Sequence, residues 1–132
     1  MGRGIPHNSA NTSREVRMPL MMLKITVQVP KDKKKELITV LSKLLAEATG
    51  KPEAYVMITM DQADGCFDGK ECPLAFADVR GIGGFSKGVN TRISKALCDL
   101  LEAKLAIPPD RVYCTFTDVP ASSWGWNRGV FG

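Results

Sequence analysis

Histidine is almost absent from this sequence, and closely paired cysteines are absent altogether. The single histidine among 132 residues is His7. The four cysteines, Cys66, Cys72, Cys98 and Cys114, form no C-x-x-C pair and do not have the spacing of metal ligands. These absences argue against a zinc site and against a histidine-activated nucleophile. We expect free thiols in a reducing compartment, with no metal and no other cofactor.

The sequence also lacks long apolar runs and a strong excess of one charge. No apolar run approaches the roughly 18 residues that a membrane-spanning helix needs. The net charge is +4, to which residues 1–18 and 19–132 contribute +2 each. The basic run Lys31, Lys33, Lys34 and Lys35 is more typical of the solvated start of a helix than of a phosphate site. We therefore expect neither nucleic acid nor a membrane as a partner.

Residues 1–18 show no apolar periodicity and no apolar segment of the kind found in secretory signals. They contain Gly, Pro, Ser and Asn, so we expect them to be disordered. We interpret them as an upstream extension or a misassigned start, and the folded domain as residues 19–132. Loss of Met18 would leave Pro19 with a free imino group. The expected location is cytoplasmic, with secretion by a non-classical route left open.

One pattern occurs twice beyond this extension. In the first copy, residues 20–29 favour a strand, and Asp32 is a candidate N-cap for the helix that follows. The helix is indicated by an apolar stripe, and Gly50 stands where a helix-ending glycine would. The stripe consists of Leu37, Val40, Leu41, Leu44, Leu45 and Ala48. A second strand is predicted at Tyr55–Met60.

The second copy has the same order of elements. A strand is predicted at Leu74–Arg80, and Ser86 or Asn90 could cap the next helix. Its apolar stripe consists of Ile93, Ala96, Leu97, Leu100, Leu101 and Leu105. We expect the Pro-Pro pair at 108 and 109 to end this helix, and a fourth strand at Val112–Thr117.

Two such units predict an α/β fold with a four-stranded sheet and two antiparallel helices on one face. Strands such as Tyr55–Met60 carry apolar side chains on both sides, whereas the helices cover only one side of the sheet. The other side would expose more apolar surface than a soluble monomer usually does. A closed oligomer that covers this side is therefore expected.

Several short strings, in this order and spacing, resemble the macrophage migration inhibitory factor family, which includes D-dopachrome tautomerase. The strings are Met18-Pro19, Ala48-Thr49-Gly50-Lys51-Pro52 with Tyr55, Gly81-Ile82-Gly83, Pro109-Asp110-Arg111-Val112-Tyr113, and Gly125-Trp126-Asn127 with Phe131. The resemblance covers residues 19–132. It implies a homotrimer and a cofactor-independent tautomerase that acts on phenylpyruvate-like or dopachrome-like substrates, with an α-keto acid as the small-molecule partner.

The resemblance also implies roles for individual residues. Pro19 is the expected base, and Tyr113 is contributed to the site by the neighbouring subunit. Lys51 matches a lysine that binds a substrate carboxylate, and the backbone N–H of Ile82 matches a donor to a substrate oxygen. The expected lining of the pocket is completed by Tyr55, Thr115, Trp126 and Phe131.

The chemistry is consistent with these roles. Moving a proton beside a carbonyl needs a base that is uncharged at neutral pH. Apolar surroundings and a nearby cation disfavour the ammonium form of an N-terminal imino group. Purely structural roles remain open as alternatives to these functional ones. Pro19 could be an ordinary strand proline, and Lys51 a helix-end cation. Ile82 and Tyr113 could be packing residues, and Trp124 and Trp126 subunit-interface residues.

The sequence departs from the family pattern at several points. Thr115 replaces a common asparagine, and Leu74 and Ala77 occupy the family's C-x-x-C positions, so thiol oxidoreductase activity is not supported. Because the first strand is slightly long, Met21 competes with Pro19 for the catalytic position. An alternative function is a non-catalytic, cytokine-like binding protein whose proline is blocked by the extension; a receptor is then conceivable. A hydratase or dehalogenase is a third possibility.

Overall fold

The computed structural model describes residues 16–132. The main elements are β1 (Arg17–Ile25), α1 (Lys31–Thr49), β2 (Met57–Gln62), β3 (Ala75–Ile82), α2 (Lys87–Leu105), β4 (Val112–Asp118), β5 (Gly125–Trp126) and β6 (Gly129–Val130). The order βαβ–βαβ is the predicted one. The small β5–β6 hairpin was not predicted, because two-residue strands leave no periodicity in the sequence.

Four strands form one sheet in the order β2-β1-β3-β4. Each βαβ unit joins two parallel strands, β1 with β2 and β3 with β4. The two units meet through the antiparallel pair β1–β3. Because the units run in opposite directions, their helices are antiparallel: the Arg92 guanidinium near the start of α2 donates to the Ala48 carbonyl near the end of α1 (3.1 Å). The predicted fold class is confirmed.

Helix α1 begins at Lys31, two residues before the start that an N-cap at Asp32 would give. Its N-cap is Pro30, which supplies no side-chain acceptor, so the prediction that Asp32 is the N-cap is wrong. Asp32 lies instead in the first turn, where its negative charge complements the helix dipole. At the other end Gly50 adopts the left-handed conformation (φ 72°), as predicted.

Helix α2 begins at the predicted cap. The Ser86 hydroxyl accepts a hydrogen bond from the Val89 backbone N–H (3.2 Å). The prolines do not end the helix themselves, contrary to the prediction. The left-handed residue Ala106 (φ 54°) ends it two positions earlier, and its N–H closes on the Glu102 carbonyl (3.1 Å).

The core lies between the helices and one face of the sheet. Alternate residues of the two central strands point into it and are almost completely buried: Met21, Leu23 and Ile25 from β1, and Ala75, Ala77 and Val79 from β3. Four of the six stripe residues of α1 and three of the six of α2 are buried against them: Leu37, Leu41, Leu45 and Ala48 from α1 and Ile93, Leu97 and Leu101 from α2. The helical spacing therefore identified the core correctly.

The other side of the sheet, here called the uncovered face, carries the intervening residues of each strand. Met57 is 61% exposed there, Phe76 37% and Tyr113 65%. The strand register places Leu20, Met22 and Lys24 of β1 on this same face, opposite Met57, Thr59 and Asp61 of β2. The expectation that both helices leave one face of the sheet bare is met.

Two strand boundaries differ from the predictions in ways that matter for the site. β1 runs from Arg17 to Ile25 rather than over 20–29, so Pro19 lies inside a strand. β2 begins at Met57, and Tyr55 closes a short 3-10 turn, Glu53–Tyr55, before it.

The predicted extension falls mostly outside the described residues, but Val16, Arg17 and Met18 are within them. Neither helix in residues 16–132 has the length and apolar character needed to cross a membrane.

Candidate active site

Pro19 occupies the first part of β1 and is less than 2% exposed. The register of β1 against β3 shifts between Arg17 and Leu20, and Met18 adopts a positive φ of 53°. A β-bulge therefore bends the chain just before the proline. With Met18 attached, the Pro19 nitrogen is an amide nitrogen and has no basic lone pair.

Three of the predicted site residues lie at the same end of the sheet as Pro19. Lys51 and Tyr55 precede β2, whose first residue pairs with Leu20 of the parallel strand β1. Ile82 is the last residue of β3, which runs antiparallel to β1 and therefore ends beside its start. The topology thus brings Pro19, Lys51, Tyr55 and Ile82 to one edge of the protomer.

The geometry of α1 fixes the position of Lys51. The N–H groups of Gly50 and Lys51 return to the carbonyls of Glu47 (3.3 Å) and Ala46 (3.0 Å), which closes the helix end. Pro52 then directs the chain into the turn before β2. Lys51 is half-buried at this corner. Lys51 therefore lies both at the C-terminus of α1 and at the Pro19 end of the sheet. This position is compatible with a helix-end cation and with a residue that binds a substrate carboxylate.

Residues upstream of Pro19 occupy the same edge. Val16 is 1% exposed, and Arg17 pairs with Ile82 along β3. A Cβ on Gly81 would lie 2.5 Å from Cγ1 of Val16 and 3.1 Å from the Arg17 carbonyl oxygen. Glycine at position 81 therefore makes room for Val16 and Arg17.

Tyr113 lies at the opposite end of the sheet from Pro19. It pairs with Phe76, which pairs with Lys24, five residues beyond Pro19. At the usual rise of a strand this places Tyr113 roughly 17 Å from Pro19 along the sheet. Its ring contacts Phe67 (centroids 5.2 Å apart), and the Arg111 guanidinium lies over Phe67 at 5.8 Å. One protomer therefore does not bring Tyr113 to its own Pro19.

The remaining predicted residues are divided between the uncovered face and the C-terminal hairpin. Thr115 is exposed and pairs with Asp78 in the middle of the sheet. Trp126 (53% exposed) and Phe131 stack with their ring centroids 5.9 Å apart and an interplanar angle of 11°. The two rings form one aromatic pair, of which Trp126 is the exposed member. Met21 is completely buried on the helix side, away from any surface.

A cation near Pro19 was missed in the sequence. Arg80 pairs with Leu20 and lies on the uncovered face beside the start of β1. Its Nε and Nη2 donate to the two carboxylate oxygens of Asp78 (3.2 and 3.0 Å). These hydrogen bonds, with the coulombic attraction of the same carboxylate, raise the pKa of Arg80. Alternation along β3, where Ala75, Ala77 and Val79 point into the core, would have placed Arg80 on this face.

No group of three or more His, Cys, Asp or Glu side chains within residues 16–132 is arranged to hold a metal ion. The residues at the Pro19 edge supply a lysine, a tyrosine and backbone N–H groups, and Pro19 would add a basic imino nitrogen only once Met18 is removed. The paired βαβ units, joined into one four-stranded sheet with both helices on one face, define an α/β protein of the tautomerase type.

The chain belongs to the macrophage migration inhibitory factor family. The sequence profile of that family, described as macrophage migration inhibitory factor (MIF), matches residues 18–132. The macrophage migration inhibitory factor of Meriones unguiculatus is 36% identical over 117 residues, covering 86% of this chain and 99% of that protein. The Xenopus tropicalis protein is 39% identical over 97 residues, covering 72% and 84%.

Solved structures show the same relationship. The macrophage migration inhibitory factor-like protein of Entamoeba histolytica superposes with a TM-score of 0.83 at 32% identity, covering 86% of this chain and 99% of that one. The homologue from Prochlorococcus marinus gives a TM-score of 0.81 at 37% identity, with the same coverage. The family and the fold predicted from the sequence are both confirmed.

Proposed function

We propose that this chain is a cofactor-independent keto–enol tautomerase of α-keto acids that carry an aromatic group, with the imino nitrogen of Pro19 as the base. The observation that carries the proposal is the gathering of Pro19, Lys51 and Ile82 at one edge of the protomer. Lys51 would bind the substrate carboxylate, and the Ile82 backbone N–H would hold an oxygen that becomes negative in the enolate.

The apolar neighbours of Pro19 along β1, Leu20, Met21 and Met22, fit the role of Pro19 as a base. Apolar surroundings disfavour the charged form of an amine, and the positive charge of Lys51 at the same edge would act in the same direction. An uncharged imino nitrogen at neutral pH can accept a proton from the carbon beside the carbonyl. Tyr113 would stabilise or protonate the enolate oxygen, and positioned acid–base catalysis of this kind contributes about 10²–10⁴-fold.

The placement of Tyr113 supports a shared site between copies of the chain. It lies on the uncovered face, far from Pro19 of its own protomer, so only a neighbouring protomer's Tyr113 could reach this Pro19. We propose a closed homotrimer that covers the exposed Met57, Phe76 and Tyr113 and forms each site between two protomers. Thr115, Trp126 and Phe131 would line these shared sites together with Tyr55.

The proposal requires that Pro19 become the N-terminal residue. We propose residues 19–132 as the catalytic domain, and removal of the preceding residues as the step that generates the base. Removal would also vacate the space that Val16 and Arg17 fill beside Gly81 and Ile82. That space is the region where the proposed substrate oxygen would bind.

The burial of Val16 and the pairing of Arg17 with Ile82 favour a second candidate function. If the chain acts with its first eighteen residues attached, Pro19 has no basic nitrogen and its edge is occupied. The protein would then be a non-catalytic binding protein on the same fold. The N-terminal residue of the protein from its natural cell, read by intact mass, distinguishes the two functions.

The decisive experiment compares the full chain with a protein that begins at Pro19, using enol-phenylpyruvate as substrate. We expect ketonisation above the buffer rate only for the protein that begins at Pro19. In that protein Pro19→Gly should lower kcat by about 10²–10⁴-fold. Lys51→Gln should raise KM more than it lowers kcat, because it removes a contact with the substrate carboxylate. No rate above buffer for the unmutated Pro19 protein would refute the tautomerase.

Tyr113→Phe tests the shared site. It removes only the hydroxyl and keeps the ring that contacts Phe67, so folding should be unaffected. Mixing the Pro19→Gly and Tyr113→Phe proteins under conditions that exchange subunits should restore part of the activity, because some sites then combine an intact proline with an intact tyrosine. Failure of the mixture to regain activity, with exchange verified by mass, would contradict a site shared between protomers.

A further inference from the structure

A groove lies between the first half of α1, the last turn of α2 and the segment that links β1 to α1. Its volume is about 550 Å³. This groove, here called the α1–α2 groove, is lined by residues 27–30 and by Lys33, Glu36, Leu37, Val40, Leu100 and residues 102–106. It begins just beyond the end of β1, at least about 20 Å from Pro19 at the usual rise of a strand. It is therefore separate from the proposed active site.

The wall of the groove is apolar. Val27, Val29, Leu100 and Leu105 are partly buried against the core, and Leu37 is 4% exposed. Val40 is 38% exposed although it belongs to the apolar stripe of α1. Apolar clefts with a volume of roughly 300–1,000 Å³ and a few polar groups are typical of small-molecule sites. The size and the lining thus suit a small ligand with an apolar body.

The charged residues in and around the groove indicate the polar end of that ligand. Four charged residues line the groove, Lys33 and Glu36 on α1 and Glu102 and Lys104 on α2, and none of them forms an ion pair with another residue in the range 16–132. These four charges cancel. The adjoining residues Lys31, Asp32, Lys34 and Lys35 add a net charge of +2. The mouth of the groove is therefore positive at the α1 end.

The start of α1 adds to this positive potential. Pro30 is the N-cap and offers no side-chain acceptor, and the first hydrogen bond of the helix runs from the Lys34 N–H to the Pro30 carbonyl (2.9 Å). The N–H groups of Asp32 and Lys33 precede that bond, so the helix itself offers them no acceptor. Unpaired N–H groups and the helix dipole both favour an anion at this position.

We propose that the α1–α2 groove binds an amphipathic monoanion, an aliphatic chain that ends in a carboxylate. The chain would lie against Val29, Leu37 and Val40. The carboxylate would lie at the start of α1, near the Lys33 ammonium group. This assignment does not depend on the tautomerase proposal, because binding in the groove requires neither a free Pro19 nor a second protomer.

The test uses the isotope-labelled full chain and three eight-carbon probes: octanoate, octanol and octylammonium. We expect octanoate to shift backbone amide resonances of residues 27–40 and 100–106 at the lowest concentration, and octanol and octylammonium to bind at least about fivefold more weakly. Equal affinity for all three probes would show that charge plays no part. Octanoate shifts confined to the uncovered face would place the site elsewhere. Either result overturns the proposal.

Two variants with the same change in net charge supply the control. Lys33 lines the groove, whereas Lys35 lies on the same helix turn outside the lining and is exposed. Lys33→Glu should weaken octanoate binding at least about fivefold, and Lys35→Glu by less than about twofold. Equal weakening by the two variants would mean general attraction to a basic helix rather than binding in the groove. Val40→Asn, at an exposed position, should weaken octanoate and octanol alike.

Discussion

The two faces of the sheet are built from the same strands, yet they differ in what covers them. On the helix side, Leu97, Val79 and Met21 are completely buried. On the uncovered face, Met57, Phe76 and Tyr113 are among the most exposed large apolar residues in the described part of the chain. Adjacent residues of one strand therefore have different roles: one set stabilises the protomer, and the other is available to a second copy or a ligand.

The largest expected effect sharpens this comparison. Leu97→Ala empties a completely buried site between α2 and the sheet, so the free energy of unfolding should fall by about 2–5 kcal/mol. Met57→Ala on the uncovered face should cost less than about 1 kcal/mol in an isolated protomer. Chemical denaturation measures both. A loss for Met57→Ala that equals the loss for Leu97→Ala, and that grows with protein concentration, would show that another copy covers this face.

The second prediction tests what covers the uncovered face. Phe76→Glu places a carboxylate there, and burying that charge against a second protomer should lower the association constant at least about a hundredfold, or about 3 kcal/mol. Val40→Glu places the same charge on the helix side and should leave assembly unchanged. Sedimentation velocity of the two variants beside the parent protein measures the effect. An oligomer unaffected by Phe76→Glu would contradict assembly through this face.

The third prediction concerns the edge where Val16 and Arg17 pack. Gly81→Ala adds a methyl group 2.5 Å from Cγ1 of Val16 and 3.1 Å from the Arg17 carbonyl oxygen. In the full chain the variant should lose about 1–3 kcal/mol of stability through overpacking. In a protein that begins at Pro19 both neighbours are gone, and only the Phe85 ring at 3.3 Å remains close. An equal loss in the two proteins would show that the upstream residues do not pack on β3 in solution.

Regular periodicity made most of the fold predictable. The spacing of Leu37, Leu41, Leu45 and Ala48 identified the buried side of α1, and Gly50 identified its end. Element boundaries were less accurate where turn chemistry decides them: Pro30 rather than Asp32 begins α1, and Ala106 rather than the prolines ends α2. Ala106 in the left-handed conformation has no local sequence pattern, so its role depends on the packing of the chain that follows.

The candidate site was less predictable than the fold, for a physical reason. The family resemblance grouped Pro19, Lys51, Tyr55 and Ile82, and the strand pairing of the structure explains why these strand ends meet. The sequence does not show that Arg17 continues the ladder beyond the proline, because Arg17 and Met18 before Pro19 are too short a segment to show strand alternation. The structure shows this continuation, and the two candidate functions turn on it.

The smallest expected effect is a difference in thiol reactivity between the two sides of β4. Cys114 is on the helix side, where burial, with smaller contributions from Cys98 and Asp78, raises the pKa of its thiol to about 12. At pH 8.5 its reaction with iodoacetamide should be at least about tenfold slower than that of the exposed Cys66 in the same chain. Mass spectrometry of the separate peptides reports both rates. Equal rates would mean that the inner side of β4 opens to solvent.

The same shift makes stability depend on pH with a defined sign. The unfolded chain loses the Cys114 proton above about pH 9, whereas the folded chain keeps it until about pH 12. The Cys114 contribution to stability is therefore complete below pH 9 and falls as the pH rises to 12. Cys114→Ala should make this fall less steep.

Thr115→Cys places a thiol on the adjacent, uncovered side of β4. It should react as fast as Cys66 in a protomer, and slow reaction would indicate that a second copy covers that side.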